Sequence, residues 1–310
     1  VKKSYLSLFK EQSGVAMILV AFCMFMIIGF TALVVDVGGL YLEKSLLQKA
    51  LDAAVLGGAQ ELKISEVGAA NGAIYLAAKN GFTVNGNEVT TGTDFIEIQK
   101  TVSKDLTFAR ILGFPQADVS ATARAETVQT LLKGDGVIPV AFERKALESA
   151  GFGDQYMMHS KPGENVRGNF GFLAIDGRGA NILGDGITNG ADTLVEVGKS
   201  VETEPGLNWG KVRSGFQERI NKDQGKQNCS SHETADNSCQ RIVTAPIIES
   251  WDGVNGRSDV NIIGFAAFWI EEVDPNGNDK AVVGRFIEYV TGGTFGPGES
   301  FGIYGVKLVN

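Results

Sequence analysis

Val15–Val35, VAMILVAFCMFMIIGFTALVV, is a run without a charged residue that leads unbroken into a helical-looking stretch, Asp36–Leu62. A helix of about 20 apolar residues crosses the hydrocarbon layer of a bilayer. In that layer a single segment satisfies its backbone hydrogen bonds only as a helix. No later segment is equally long and apolar. The chain therefore reads as one N-terminal anchor followed by a soluble body on one side of a membrane. Such a layout points to tethering or assembly more than to catalysis.

Lys2, Lys3 and Lys10 precede the span, and Lys44 and Lys49 follow it. Counting Lys and Arg alone puts the N-terminus in the cytoplasm and the body outside. A cleaved secretory signal is the competing reading, but its apolar core runs to about 7–15 residues and ends at a small-residue cleavage site. This run is longer and ends in Asp36-Val37-Gly38-Gly39, which favours an uncleaved or prepilin-type anchor. Net charge −8 and a pI near 5.0 provide no basic face for nucleic acid.

The pattern predicts an α+β chain in five parts. Residues 1–14 are a cytoplasmic N-terminus, 15–35 a transmembrane helix, and 36–62 its extension as a pilin-like helix. Residues 63–132 form a small α+β unit, and 133–310 form a mostly β extracytoplasmic domain. In the extension, Ala50, Ala54 and Gly58 recur every four residues with Ala53 and Gly57 beside them, while Lys44, Gln48 and Asp52 form a polar stripe. Small residues on one helix face let another backbone approach closely. That partner is either the chain's own body or a copy or partner in a fibre.

Ser65–Lys79 reads as a second helix, capped by Ser65 and stopped by Asn80-Gly81. Asp94–Val102 and Ala117–Val128 alternate as strands around a short helix at Leu106–Leu112. Together they suggest a unit in which the second helix covers a sheet. From Lys133-Gly134-Asp135-Gly136 onward, apolar strand candidates alternate with Gly, Asn and Asp turns. The clearest hairpin flanks Asp274–Asp279.

Patterns for catalysis stop short. Neither His159 nor His232 sits in a nucleophile context. His232-Glu233-Thr234-Ala235-Asp236 opens like a zinc-protease helix but has Asp where the second His belongs. Gly177-Arg178-Gly179 and Gly184-Asp185-Gly186 read as turns, not phosphate loops. Asp274–Asp279 offers calcium-type oxygens but lacks Gly at position six and Glu at position twelve. Glu271-Glu272 alternate across a strand. The sequence proposes no catalytic residue, cofactor or metal site. Cys23 is an apolar filler of the span, with palmitoylation as the alternative. Cys229 and Cys239 lie in the polar loop NCSSHETADNSCQR, read as facing outward. They are candidates for a disulfide, with free thiols or a metal site including His232 as the alternatives.

Residues 13–62 resemble the N-terminal region of TadE/TadG-like Flp (tight-adherence) pilus assembly proteins. The resemblance rests on Ser13-Gly14, Val35-Asp36-Val37-Gly38, Tyr41, Lys44, Leu47-Gln48, Ala50, Asp52-Ala53-Ala54 and Gly57-Gly58-Ala59-Gln60-Glu61-Leu62. Phe108–Gly113 (FARILG), Ser120–Ala123 and Gly264–Phe268 further resemble TadG-related proteins of Gram-positive bacteria. The D-x-S-x-S motif of relatives with a von Willebrand A domain is absent from the sequence. The resemblance implies a membrane-anchored, non-catalytic assembly protein or minor pilin-like subunit. Its partners would be membrane lipid and other Tad/Flp machinery or pilin-like subunits. Gly14 is the prepilin-type processing candidate, although Leu19 stands where prepilins place a Glu. The rival reading is a membrane-tethered surface domain that binds a ligand or wall polymer independently of any pilus.

Overall fold

A computed structural model describes residues 12–159, 171–274 and 280–309. Helix α1, Gln12–Ala59, has 48 residues and is roughly 72 Å long at 1.5 Å per residue. None of its most apolar stretch is buried against the rest of the chain. Burial begins at Asp36 and continues through Leu47, Ala50, Leu51, Ala54, Val55 and Ala59, one stripe at three- and four-residue spacing. The first half thus presents apolar side chains outward, and the second half is built into a domain.

After a turn at Gln60–Ile64 the chain enters α2, Glu66–Lys79, whose first turn is capped by the Ser65 hydroxyl accepting from the Gly68 N–H at 3.1 Å. Ala69, Ala73 and Ala77 are its buried residues. Strands β1 (Val89–Thr91), β2 (Phe95–Asp105) and β3 (Gln116–Gln129) follow. β2 and β3 form one antiparallel hairpin in continuous register from Phe95↔Glu126 to Asp105↔Gln116. On its inner face Val119, Ala121, Ala123 and Ala125 are buried with Ile96 and Ile98 against the leucines of α1. This corrects the expected layering. α1 lies on the sheet, whereas α2 packs chiefly on α1 and reaches the sheet at β1. The alanines of β3 are small enough for the longer helix to take that place. At the hairpin end, only Ala109–Leu112 forms a single 3-10 turn, where the sequence suggests a helix from Leu106.

The second body is wound around β10 (Asp259–Val273). It contains β4 (Leu131–Gly134), β5 (Phe142–Glu143), α3 (Arg144–Ala150), β6 (Gln155–His159), α4 (Ala180–Asn189), β7 (Val195–Glu196), β8 (Ser200–Glu202), α5 (Trp209–Lys222), β9 (Ile242–Ile248) and β11 (Ala281–Ile287). The main sheet has the order β5-β9-β10-β11-β6, with β8 on the far end of β10. Side chains of β10 alternate between two cores. Ala266, Phe268 and Ile270 join Phe142, Phe286, Leu183 and Phe216 on one face. Phe265, Ala267 and Trp269 join Cys229, Cys239 and Ala235 on the other. A strand buried on both faces loses the apolar–polar alternation, which accounts for the unbroken IIGFAAFWI run. The α+β class stands, and the second body is mostly β as expected, with α3, α4 and α5 among its described residues. Gly184 and Gly186, read as turn residues, lie inside α4.

The chain then returns to the first unit. After β12 (Tyr289–Val290) and β13 (Thr294–Phe295), β14 (Ile303–Val309) pairs antiparallel with β3 from Tyr304↔Gln129 to Val309↔Arg124. The first sheet therefore runs β1-β2-β3-β14-β12. The sequence pattern groups residues 303–309 with the second body; in the structure they complete the sheet against which α1 is packed. β10 and β11 form the expected hairpin, while its tip at 275–279 lies outside the described residues.

Candidate functional site: the helix beyond the span and its clamp

Asp36 is the first residue after the apolar run and is buried. Its carboxylate accepts backbone N–H bonds from Thr107 (2.7 Å), Phe108 (3.0 Å) and Ala109 (2.7 Å). Burial alone would raise this carboxyl. The N–H groups of Ala109, Thr107 and Phe108 outweigh that effect and hold its pKa below the ordinary aspartate value. An acid at the end of the apolar run thus fastens the tip of a hairpin that begins and ends far from it in sequence.

Three more polar contacts continue the clamp up the helix. Glu43 pairs with Lys104 at 2.9 Å. The Lys44 ammonium donates to the Ser120 carbonyl. Gln48 donates to the Thr122 carbonyl at 2.9 Å and to Asp52 at 2.8 Å. Ser120 and Thr122 lie in the part of β3 that β14 does not reach, so the helix supplies donors that a neighbouring strand otherwise would. The polar stripe Lys44, Gln48, Asp52 is therefore the hydrogen-bonding side of an intramolecular seam.

The small residues divide by position. Ala50, Ala54 and Gly58 are buried, and at Gly58 a Cβ would stand 2.7 Å from the Ala69 carbonyl oxygen and 2.8 Å from the Ala73 Cβ. Gly57 is half-buried beside Leu76, and Ala53 is exposed. Close backbone approach at Gly58 thus serves α2 of the same chain. Facing away from the sheet, Val37, Tyr41, Leu42 and Leu46 are exposed. Gly14 and Cys23 are exposed on the first half of α1.

Cys229 and Cys239 are joined in a disulfide with Cα atoms 5.5 Å apart. Both are buried, as is Ala235 between them, so the expectation of an outward polar loop is corrected: its polar residues face out and its half-cystines enter the second core. His232 lies against the Trp269 ring at 5.9 Å and is not in the group that Asp223 forms with the two sulfurs. An oxygen of Asp223 does lie near both sulfurs, but this carboxylate accepts from Lys226 and the Arg241 N–H, each at 2.8 Å. Burial works to raise its pKa, and those donors, with the Gln240 N–H, bring it below the ordinary value. Oxidised sulfurs and an acid already occupied by donors suit a structural staple, not a metal centre.

Between this loop and the end of α1 lies a cleft of about 310 Å³ lined by Gly57, Glu61, Ile64, Asp236 and Tyr289, among others. Burial, then the Asp236 charge, raises the Glu61 carboxyl and pushes Tyr289 up to about 12. Elsewhere Glu271 pairs with Arg285, Glu272 is exposed, and His159 ends β6. The Asp36 clamp escaped the sequence reading, although both of its halves, Val35–Gly38 and FARILG, stood out separately.

Residues 14–61 match the family described as putative Flp pilus-assembly TadE/G-like. The matched segment is α1 from just inside its N-terminus to the turn before α2. No curated protein and no solved structure matches the chain.

Proposed function

We propose that the chain is a membrane-anchored component of a Flp-type pilus assembly apparatus, or a minor pilin-like subunit, with a structural and non-catalytic role. Its N-terminus is cytoplasmic and the folded body beyond the apolar run is extracytoplasmic. The observation that carries this reading is the coincidence of the TadE/G-like match with α1 alone. That helix is half unpartnered apolar surface and half clamped onto a folded body. A helix fixed to its body at Asp36, Gln48 and Gly58 moves with the body as a unit, which suits an assembly part that must hold a displayed domain at a set distance from the bilayer. Because Ala50, Ala54 and Gly58 are used inside the chain, contact with other subunits falls to the exposed side, Val37, Tyr41, Leu42 and Leu46.

Photo-crosslinking residues placed at Tyr41 and Leu46 in cells provide the test. Crosslinks to pilin-like or Tad machinery proteins are the expected result, with residues beyond Leu62 removed by protease from intact cells. Crosslinks absent at both positions, together with unchanged surface display when the secretion ATPase is deleted, would instead favour a free-standing tethered binding domain.

A further inference from the structure

We infer that the tip of the β2–β3 hairpin, residues 110–114, is a second membrane contact that dips into the lipid interface beside the anchor helix. This rests on the anchored reading above and adds a site to it. Ile111, Leu112 and Phe114 are 83%, 77% and 65% exposed. Three large apolar side chains projecting together from a tight turn are costly in water and common where a surface meets lipid or a partner.

Position decides which. The contacts between α1 and the hairpin are ordered. Gln48 meets Thr122, Lys44 meets Ser120, Glu43 meets Lys104, and Asp36 meets Thr107–Ala109. Each step toward the N-terminus of α1 is a step toward the hairpin tip, so the hairpin runs down the helix to the membrane end. Asp36 directly follows Val35, the last residue of the apolar run, and it fixes the backbone just before the tip. The exposed apolar surface of the tip is therefore continuous in level with the exposed apolar surface of the span. Arg110, whose exposed guanidinium lies 3.7 Å from Asp105, stands at the rim, where a cation suits lipid phosphate. Lipid is the occupant that this placement selects. Anchor and hairpin tip together give two points of attachment, which would restrict how far the body tilts on its helix.

The test uses the full chain in lipid vesicles, with the Cys229–Cys239 bridge intact and Cys23→Ser. A single environment-sensitive fluorophore is attached at Leu112→Cys, Phe114→Cys, Ile27→Cys or Val67→Cys. Val67 is also apolar and 71% exposed, but it lies in α2, beside the far end of α1, roughly 30 Å up the helix from Asp36. Vesicles contain lipids with a nitroxide either near the headgroup or deep in the acyl chain. The expected result is quenching of the 112 and 114 probes by the shallow nitroxide with a blue-shifted emission, quenching of 27 by the deep one, and no quenching at 67. If 27 is quenched while 112 and 114 behave like 67, the hairpin contact is refuted and the anchor stands. If 27 is not quenched, the anchored reading itself fails. A blue shift at 112 without lipid quenching, lost on diluting protein in the bilayer, would overturn lipid in favour of a second copy. Asp36→Ala should abolish quenching at 112 and leave 27 unchanged. Leu112→Asp with the probe at 114 should do the same without touching the clamp.

Discussion

Replacing Gly58 with Ala should loosen α2 from α1. The added carbon would stand 2.7 Å from the Ala69 carbonyl oxygen, 2.8 Å from the Ala73 Cβ and 3.0 Å from the Ile96 Cδ1. The end of Ile96 can turn aside. The Ala69 carbonyl and the Ala73 Cβ belong to the frame of α2, so relief requires that helix to move. Overpacking of this kind costs about 1–3 kcal/mol. Gly→Ala recovers at most ~1 kcal/mol of helix propensity, and less here, because α1 ends one residue later at Ala59. The net expectation is a loss of about 1–2 kcal/mol. Hydrogen exchange of α2 amides in the full chain, held in detergent or nanodiscs, reads this locally. If those amides exchange when α2 undocks, exchange should quicken about 5- to 30-fold. Gly57→Ala is the matched control. Its Cβ would meet only Leu76, the nearest atom being the Cδ1 at 2.1 Å, the far end of a side chain that can rotate. Gly38→Ala meets nothing within 4 Å and should stabilise by up to ~1 kcal/mol. Wild-type exchange rates in Gly58→Ala, or an equal effect from Gly57→Ala, would refute the close-packing argument.

Two further outcomes concern the disulfide and the Asp36 clamp. The Cys229–Cys239 bridge closes a short loop within the second core, so the double Ser variant should lose about 2–3 kcal/mol; an unchanged melting curve, or both thiols alkylated without reductant, would count against it. The Asp36 carboxyl has a folded-state pKa below its unfolded value, so its stabilising effect is fully present above the unfolded pKa and is lost as pH falls through the folded one. The amide resonances of Thr107–Ala109 should therefore titrate with a midpoint below 3.8, and a midpoint above it would show that these N–H groups do not hold the carboxylate.

Local features were legible from sequence. The α2 cap at Ser65, its stop at Asn80-Gly81 and the alternation of β2 and β3 need only neighbours a few residues apart, and all three appear in the structure. Features set by distant partners were not. Nothing in FGIYGVKLV states that it will pair with residues 124–129 instead of a strand of its own body. The helix α4, ANILGDGITN, carries two glycines and a weak propensity, and it is held by burial of Leu183 and Ile187 under the main sheet. The half-cystine loop is polar by composition, yet Cys229, Ala235 and Cys239 turn inward. Composition averages over a loop and cannot say which three of its residues face the core.

The same distinction bears on assembly. The spacing of Ala50, Ala54 and Gly58 suggests a face made for close approach, but a period does not name the partner. The partner is α2 and the sheet of the same chain. With that face occupied, the proposed contact between subunits falls to the rest of the helix. What remains there is Val37, Tyr41, Leu42 and Leu46, apolar, exposed and just beyond the apolar run. Those residues lie within the segment that matches the pilus-assembly family, whereas most of the residues that clasp α1 come from outside it. Among the described residues the matched helix thus has one side committed to its own body and one side exposed, a division that suits the proposed role of carrying a domain while joining an assembly.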